Sequence, residues 1–555
     1  MNQSENSDDN QPSSPEQGIK QQANNSRFVS GQQATIGEDN IQIQGDNNFI
    51  VKTLTFLVDK QTTTSINYKK RLLVKVKDEV EYRLKKSLHN ASLINLGIES
   101  HPQQVNNPLN ALVKIGLKPP EPIPENTTIL EVFDSVNGQL LILGEPGAGK
   151  TTTLLELAKV IIQRTKEKED YPIPVLLNLS SWKENDQAIE KWKESKKNNK
   201  NNQNNKPKPL LLKWLISEIQ SKHGFSNEVI MDWIKEGQLL LFLDGLDEGE
   251  PTRQKICVEA INELLQGEWQ FSKLVVASRI KEYESLEIQL QLQGAIYLRS
   301  LTEKQIKDYL STINLIEIWN SIKDNPEILD LVKIPLFLNI TVLTYSDSEN
   351  FSISKWQESI SIQQKADYLL KSYRERMLKR EISSEKDNIN EYTFSREKTL
   401  NYLVILAKML NKNSQTEFLI ENINGSWLKS EIDIFIYKIW TMLIYVIFLF
   451  IIFTSIFWAV FNNYYIALLL SFLFSLYWGL IFFFGFDTNE NIKNKFNVQH
   501  LFLRRILYRN GYIPWNYARF LDYCTERMLL QRVGGRYRFI HKLLQDHFAE
   551  MPKQN

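Results

Sequence analysis

The sequence has little cysteine and almost no excess charge. Its 555 residues include two cysteines, Cys257 and Cys524, which lie far apart and have no metal-ligand spacing. Two such residues exclude a disulfide framework. The 66 basic side chains nearly balance the 65 acidic ones, which gives a formal net charge of +1. No global field therefore favours nucleic acid, and no specific nucleic-acid partner is predicted.

The chain also begins without an apolar run. Residues 1–33 consist largely of Asn, Gln, Ser and acidic side chains, and this composition predicts a disordered tail, not a signal peptide. No repeat with the period of a solenoid or propeller is found in the sequence. A chain of this length is too long for one core, so we expect several domains.

A glycine-rich stretch fits the pattern G-x-x-x-x-G-K-[ST]. Apolar residues 140–143 precede it and a helix-forming run, 152–164, follows it, so the context is strand, loop and helix. Backbone N–H groups of such a loop surround phosphate oxygens, and the helix adds its positive N-terminal end. The alternative is a chance glycine turn after a core strand. The predicted nucleotide-binding residues in this stretch are Gly144, Glu145, Pro146, Gly147, Ala148, Gly149, Lys150, Thr151 and Thr152.

An acidic cluster follows a second apolar run, 239–243, which indicates a strand buried on both faces of a parallel sheet. Asp244 stands at the carboxyl end of this strand, where such sheets bind ligands. We therefore expect Asp244 and the Thr151 hydroxyl to ligate Mg²⁺, with Lys150 reaching the β- and γ-phosphates. Glu248 is predicted to orient the attacking water, and Asp247 is the competing candidate. The alternative is a solvated acidic turn that caps a core strand.

The two motifs together, GEPGAGKT and a run ending in LDGLDE, resemble the NACHT family of signal-transduction P-loop NTPases. Two later stretches are similar to the same family. Residues 274–279 end in Arg279, and residues 539–549 fit F-x-H-x-x-x-Q-[ED]-x-x-A with His541 as the histidine. The resemblance implies an α/β P-loop NTPase with a parallel sheet, followed by helical and winged-helix domains.

The resemblance also implies roles for three residues outside the glycine loop. Arg279 would face the γ-phosphate and support catalysis, His541 would contact the β-phosphate of ADP, and Pro335 would pack near the adenine. A guanidinium near the γ-phosphate would distinguish ATP from ADP by charge. The alternatives are an arginine that closes a strand with a surface ion pair and a histidine that lies on a core helix.

The region before the NTPase has two predicted parts. Residues 34–52 contain a near-repeat with Asn, Gln and Gly, which is typical of stacked cross-β structure and resembles amyloid signalling motifs. Gln44 departs from that motif, so a simple β-hairpin or a linker is the favoured alternative. Residues 65–118 have helical periodicity in their first half and predict a small helical adaptor. The NTPase itself is expected over 125–300, with a mobile low-complexity insertion at 183–209.

The strongest shift in composition comes after a predicted helical domain, 301–434. Residues 439–461 and 465–486 are uncharged and mostly apolar, and each run is long enough to span a membrane as a helix. Buried core helices are the alternative. Basic residues flank the pair and none lies in its turn, so the NTPase and both termini are expected in the cytoplasm of a multi-pass membrane protein. Residues 496–555 predict a winged-helix-like segment, with a turn at 533–536.

These features predict a membrane-anchored ATP/ADP switch that hydrolyses ATP slowly with Mg²⁺. By resemblance it would form a homo-oligomer when activated, in stress or antiviral defence, in response to an unknown trigger. A membrane-tethered scaffold with a structural nucleotide that is never hydrolysed is the alternative. A transport ATPase subunit is a weaker one, because two spans without intramembrane charge make a poor substrate path.

Overall fold

A computed structural model gives the fold. It describes residues 35–37, 40–42, 68–88, 110–115, 121–122, 127–182, 184, 186–198, 209–249, 251–266, 271–345, 351–380, 394–428, 430–485, 497–533 and 535–552. The chain divides into two compact units, Met1–Arg71 and Leu72–Asn555.

The first unit contains a short antiparallel hairpin. Its strands are β1 (Thr35–Gly37) and β2 (Asn40–Gln42), with Ile36 opposite Ile41. The sequence analysis favours a simple hairpin or a linker here over an amyloid signalling motif. That this segment templates the assembly of a partner stays a prediction. The predicted tail, 1–33, and the remainder of 34–52 lie outside the described residues.

The second unit is built on a mixed sheet of seven strands. Its order is β4-β3-β9-β5-β8-β7-β6, and the five strands from β9 to β6 are parallel, which confirms the predicted α/β class. The strands are β3 (Asn110–Ile115), β4 (Glu121–Pro122), β5 (Gln139–Gly144), β6 (Ile173–Asn178), β7 (Leu239–Asp244), β8 (Leu274–Ser278) and β9 (Gly294–Arg299).

Two strands at one edge differ from the sequence prediction. β3 lies within the predicted helical adaptor, 65–118, and β4 lies between that adaptor and the predicted NTPase, 125–300, yet both belong to the NTPase sheet. β3 pairs antiparallel with the whole of β9. The backbone groups of its six residues thereby gain hydrogen-bond partners in the sheet, which they would lack in a separate helical domain. Within this unit the adaptor keeps one described helix, α1, at 72–85.

Helices cover the sheet and make the layered packing that parallel strands require. α3 begins directly at the glycine-rich loop, as the motif predicts. The helices are α2 (Ile129–Ser135), α3 (Lys150–Glu167), α4 (Asp186–Asn198), α5 (Leu212–His223), α6 (Asn227–Lys235), α7 (Pro251–Leu264) and α8 (Ile280–Glu284).

The predicted low-complexity insertion, 183–209, is wrong in its first half. Residues 186–198 form α4, because Ile189 and Trp192 lie three positions apart on one helical face and are both buried. The indole N–H of Trp192 donates to Glu263 Oε2 at 2.8 Å. Residues 199–208 lie outside the described part of the chain.

A helical region follows the sheet and shares one hydrophobic core with the C-terminal segment. Thr302 caps its first helix, α9: the hydroxyl accepts from the Gln305 N–H at 3.2 Å, and the Gln305 side chain accepts from the Thr302 N–H at 2.9 Å. The helices are α9 (Glu303–Thr312), α10 (Ile316–Ile322), α11 (Pro326–Val332), α12 (Pro335–Tyr345), α13 (Ile353–Glu358), α14 (Ile362–Lys379) and α15 (Arg396–Lys412).

A long apolar hairpin comes next. It consists of α16 (Glu431–Phe461) and α17 (Tyr464–Gly485), joined by Asn462 and Asn463. α16 starts eight residues before the predicted span, 439–461, because its first turns pack against the C-terminal segment. By length and composition, α16 and α17 could each cross a membrane. Among the described residues a third candidate span arises only if α11 and α12, which are bent by 106° to one another, are counted as one helix. α12 is buried along nearly its whole length in the hydrophobic core that the helical region shares with the C-terminal segment, which argues against that third span.

The C-terminal segment has the predicted wing-like hairpin between helices. Strands β10 (Leu530–Val533) and β11 (Arg536–Phe539) pair antiparallel around the predicted turn. Two helices, α18 (Asn497–Arg509) and α19 (Tyr517–Glu526), precede the hairpin, and α20 (Lys542–Glu550) follows it.

Candidate functional site

The glycine-rich loop joins β5 to α3 at the edge of the sheet where the parallel strands end. Gly147 has φ +82°, and a Cβ there would stand 2.9 Å from Ile334 Cγ2. Its carbonyl accepts from the Leu336 N–H at 3.2 Å, which ties the loop to the start of α12. Glycine at 147 is therefore required both by backbone conformation and by the close approach of a second segment.

The two predicted Mg²⁺ ligands meet in the structure. The Thr151 hydroxyl donates to Asp244 Oδ2 at 2.8 Å, across 93 residues of chain. A hydroxyl and a carboxylate are hard oxygen donors of the kind that Mg²⁺ takes together with substrate phosphates, so the pair fits this metal. No cluster of three or more His, Cys, Asp or Glu side chains arranged for a metal occurs in the described part of the protein.

Lys150 is half-buried at the first position of α3. Its Nζ donates to the carbonyl oxygens of Gly144 at 2.8 Å and Glu145 at 3.1 Å. Burial lowers the pKa of the ammonium group, and the carboxylates of Asp247, Asp244 and Glu248 oppose that effect. The cation is held at the end of β5, facing the acidic cluster.

Asp247 and Arg279 form an ion pair. Arg279 Nε lies 2.9 Å from Asp247 Oδ2, and the Arg279 backbone N–H donates to Oδ1 at 3.0 Å. Arg279 also contacts Glu282 Oε1 at 3.3 Å. Burial raises the pKa of Asp247, while Lys150 and Arg279 lower it. Both carboxylate oxygens of Asp247 therefore have partners that orient the end of β8.

Glu248 has a different environment. Its Oε2 accepts from the hydroxyl of Thr416 at 2.6 Å. Burial and the neighbouring charges of Asp247 and Asp244 raise the pKa of Glu248 to about 7, against a lowering effect of Thr416. The close approach of the Glu248 carboxyl group to the backbone at 245 requires glycine there. Gly245 has φ +77°, and a Cβ at this position would stand 2.8 Å from that carboxyl group.

Thr416 connects Glu248 to the neighbouring strand. Its Oγ1 accepts from Asn178 Nδ2 at 3.2 Å and lies 2.9 Å from Ser180 Oγ. Asn178 pairs with Asp244 in the register of β6 and β7. Thr416 follows α15, so a residue of the helical region is hydrogen-bonded into the acidic cluster of the sheet.

His541 lines the same cavity as the glycine-rich loop. It is the N-cap of α20, and its Nδ1 accepts from the Leu543 N–H at 3.1 Å. Burial, then the positive charges of Lys150, Arg279 and Arg538, lower the pKa of His541 to about 3. The imidazole is thus neutral at physiological pH while it faces the cations of the NTPase.

One cavity collects most of the predicted site residues. Within the loop, Gly144, Glu145 and Ala148 do not line the cavity, and Gly144 and Glu145 contribute the carbonyls that hold Lys150. The predicted residues that line the cavity are Pro146, Gly147, Gly149, Lys150, Thr151, Thr152, Asp244, Asp247, Glu248, Arg279, Pro335 and His541.

Most other polar residues that line the cavity have no local motif that predicts them. Gln545 is an exception, because it belongs to the F-x-H-x-x-x-Q pattern that pointed to His541. Asn178 contacts Thr416 without lining the cavity, and it could have been predicted, because it ends a buried strand at the same sheet edge as Asp244. The polar lining residues absent from the sequence prediction are Arg83, Ser87, Asn339, Thr416, Gln531, Arg538, Lys542 and Gln545.

The strand-loop-helix, the mixed sheet and the Thr151–Asp244 pair define a P-loop NTPase fold. Residues 139–314 match the family described as NACHT domain. This match spans β5 to α9 and includes both the glycine-rich loop and the acidic cluster. A NACHT-type nucleotide-binding domain therefore occupies this part of the chain.

The protein is also similar to solved structures. CDC6P from Pyrobaculum aerophilum has a TM-score of 0.25 and 12% identity, covering 74% of this chain and 87% of that one. The Walker-type ATPase PABY2304 of Pyrococcus abyssi has a TM-score of 0.24 and 12% identity, with 74% and 90% covered. The Aeropyrum pernix ORC2 protein, in ADPNP–ADP complexes, has a TM-score of 0.23 and 11% identity, with 76% and 91% covered. A comparison with curated proteins gives no match.

Proposed function

We propose that this protein is a membrane-anchored, NACHT-type nucleotide switch that changes state when ADP is exchanged for ATP. The observation that carries the proposal is the shared cavity, which is lined by the glycine-rich loop of the NTPase and by His541 of the C-terminal segment. A ligand that spans such a cavity links the two domains that form it. Its loss or extension changes the free energy of keeping them together.

The closed form is the one that ADP would stabilise. Lys150 and the loop N–H groups would hold the diphosphate, and His541 would contact it from the C-terminal segment. A neutral imidazole with Nδ1 accepting from Leu543 has its Nε2–H available as a donor to a phosphate oxygen. Pro335 and Asn339 of α12 line the side of the cavity that would receive the base.

Hydrolysis would reset the switch, and Glu248 is the better candidate for orienting water. Both oxygens of Asp247 are bound by Arg279, whereas Glu248 has only Oε2 bonded to Thr416. A carboxyl group whose pKa is about 7 has the basicity expected of a general base at neutral pH. Because Thr416 holds that carboxylate in the closed form, we expect slow turnover.

The apolar hairpin would anchor the switch in a membrane. At 31 residues α16 is about 46 Å long, which exceeds a hydrocarbon core of about 30 Å. Its first turns pack on α18: the rings of Trp440 and Phe502 stack at 4.7 Å, and Asn510 donates to Asp433 at 2.7 Å. Movement of the C-terminal segment would therefore be transmitted to the hairpin.

Oligomer formation and a role in antiviral or stress signalling follow from the likeness to the NACHT family. The domain match gives the nucleotide-binding part of that likeness. Opening of the cavity would expose NTPase surface that the helical and C-terminal segments now cover, and this surface would form the contacts of a homo-oligomer. The cytoplasmic orientation rests on the basic residues that flank the hairpin.

Nucleotide binding by the detergent-solubilised protein tests the proposal. Lys150→Ala should abolish binding of ADP and of a non-hydrolysable ATP analogue, measured by titration calorimetry. Lys159→Ala, an exposed position on the same helix, is the matched control and should bind like the wild type. Unchanged binding by Lys150→Ala would remove the mechanism.

The alternative is a tethered scaffold whose nucleotide is structural. Phosphate release separates the two functions. The switch predicts slow release that falls about 10²–10⁴-fold in Glu248→Gln while affinity stays within about threefold. No release by a wild-type protein that binds ATP would favour the scaffold.

A further inference from the structure

The helix that precedes the NTPase, α1, is wedged between two other parts of the second unit. Glu79 of α1 accepts from Lys222 of α5 at 3.2 Å, and the Lys222 side chain is almost fully buried. One turn further on, the carbonyl of Arg83 accepts from Gln531 Nε2 of β10 at 3.2 Å. α1 therefore contacts both the NTPase and the C-terminal segment.

Arg83 directs a charged side chain into this junction. The residue is 4% exposed and lines the same cavity as Lys150 and Asp244. Its Nε has no hydrogen-bond partner among the described residues. Its Nη1 lies 3.5 Å from Glu79 Oε1, at the outer limit of a hydrogen bond. A guanidinium carries five N–H donors, so this one is poorly satisfied for a buried group.

The other cations of the cavity are better satisfied. Arg279 has two carboxylate partners, Lys150 has two carbonyl oxygens, and Arg538 donates from Nε and Nη2 to Gln531 at 3.3 and 3.1 Å. Arg83 is the arginine of this set that keeps a buried donor without an acceptor. An unpaired buried donor destabilises a fold unless a ligand supplies the acceptor.

The charges around Arg83 indicate what kind of ligand fits. Asp244, the predicted Mg²⁺ ligand, lines the same cavity as Arg83. The charges of Asp244, Glu79 and Glu417 attract the Arg83 guanidinium, and that of Arg538 repels it. Glu417 is already paired with Arg536 at 3.3 Å. Arg538 lines the same cavity, and both arginines contact Gln531, which donates to the Arg83 carbonyl and accepts from the Arg538 guanidinium. Two arginines on one wall of a cavity favour a multivalent anion beside them.

We propose that Arg83 binds the terminal phosphate of a nucleoside triphosphate, from a helix that precedes the NTPase in the chain. This inference rests on the proposed nucleotide switch and adds a residue to it. It gives α1 a direct contact with the group whose gain or loss distinguishes ATP from ADP. The segment before α1 would then report which nucleotide is bound, through the position of one arginine.

The test compares affinities of the full-length protein in detergent for ADP and for a non-hydrolysable ATP analogue. Arg83→Gln should weaken binding of the ATP analogue about tenfold to hundredfold, the range for losing a charge-assisted contact, and change ADP affinity less than about threefold. Lys85→Ala, exposed on the same helix, is the matched control and should leave both affinities unchanged.

Arg83→Lys guards against a folding defect, because it keeps a cation beside Glu79 while it loses the planar donor set. It should melt like the wild type without nucleotide and still lose several-fold affinity for the ATP analogue. Equal affinities in wild type and both Arg83 variants would overturn the inference, as would equal losses for both nucleotides. Absence of nucleotide binding by the wild type would instead overturn the proposed switch, so the two failures are distinguishable.

Discussion

The two walls of the cavity are built in different ways. The NTPase wall comes from two short stretches, 144–152 and 244–248, each attached to the end of a strand buried in the sheet. The second wall comes from α1, α12, Thr416 and 531–545, which lie far apart in the sequence. The chemistry of phosphate and metal is therefore local in the sequence, whereas the closure of the site depends on tertiary packing.

The contacts between the two walls differ from those within the NTPase sheet. Within the sheet, β5 and β7 are held by backbone ladders and apolar side chains on both faces. Between the NTPase and the segments that follow it, polar contacts include Thr416 to Glu248 at the cavity and Arg536 to Glu218 outside it. Polar contacts between preformed surfaces can be exchanged for water or for ligand at modest net cost, which suits a reversible closure.

The largest expected effect comes from an ion-pair cluster that joins the NTPase to the C-terminal segment. Arg536 lies 2.5 Å from Glu218 of α5 and 3.3 Å from Glu417; both carboxylates are buried, and the Arg536 side chain is 13% exposed. Arg536→Met leaves two buried carboxylates without their arginine partner, which costs about 3–5 kcal/mol. We expect the closed form to open and ADP to dissociate at least a hundredfold faster, measured by stopped-flow fluorescence of a labelled ADP.

A surface pair in the same hairpin provides the control. Arg532 lies 3.8 Å from Asp522, and both side chains are about half exposed. Arg532→Met should change ADP release by less than about fivefold, because exposed ion pairs contribute roughly 0–1 kcal/mol. Equal rates in both variants would show that the polar contacts do not hold the walls together.

A smaller effect is expected at Thr416. Thr416→Val keeps the shape but leaves the Glu248 carboxyl group and the Asn178 amide without their shared partner, at about 1–3 kcal/mol. ADP release should accelerate about tenfold, and Thr416→Ser, which keeps the hydroxyl, should restore the wild-type rate. A Val variant that releases ADP like the Ser variant would contradict a connection through this hydroxyl.

The smallest effect is a pH dependence from His541. Its pKa is about 3 in the closed form and near 6.5 when solvated, so closure gains stability from this residue that is complete above pH 6.5. That stability is lost as pH falls from 6.5 toward 3, because the open form takes up a proton that the closed form rejects. Glu248, with a pKa raised to about 7, has the opposite sign between pH 4.5 and 7.

His541→Asn isolates the histidine contribution, since Asn can also cap α20 and does not titrate. The melting temperature of the variant relative to wild type should rise as pH falls below 6.5. A constant difference between His541→Asn and wild type at every pH would show that His541 is not buried by closure.

The sequence predicts the NTPase wall well because strand, turn and helix signals are read within about ten residues. Thr151 and Asp244 are 93 residues apart, yet the rule that parallel strands end at one sheet edge brings them together. No such rule places Arg83 or Thr416, because their positions follow from packing of helices whose sequences carry only an apolar periodicity. The strand β3 was missed for a related reason: a six-residue run that pairs antiparallel with β9 has no local signal that separates it from a helix end.

The central claim is that the terminal phosphate decides whether the two walls stay together. Energy transfer between dyes on Lys235→Cys in α6 and Arg509→Cys in α18 tests it directly, since both positions are exposed and the native Cys257 and Cys524 are buried. The account predicts high transfer with ADP, a clear decrease with a non-hydrolysable ATP analogue, and no response in Lys150→Ala. Identical transfer with both nucleotides, in protein shown to bind each of them, would contradict it.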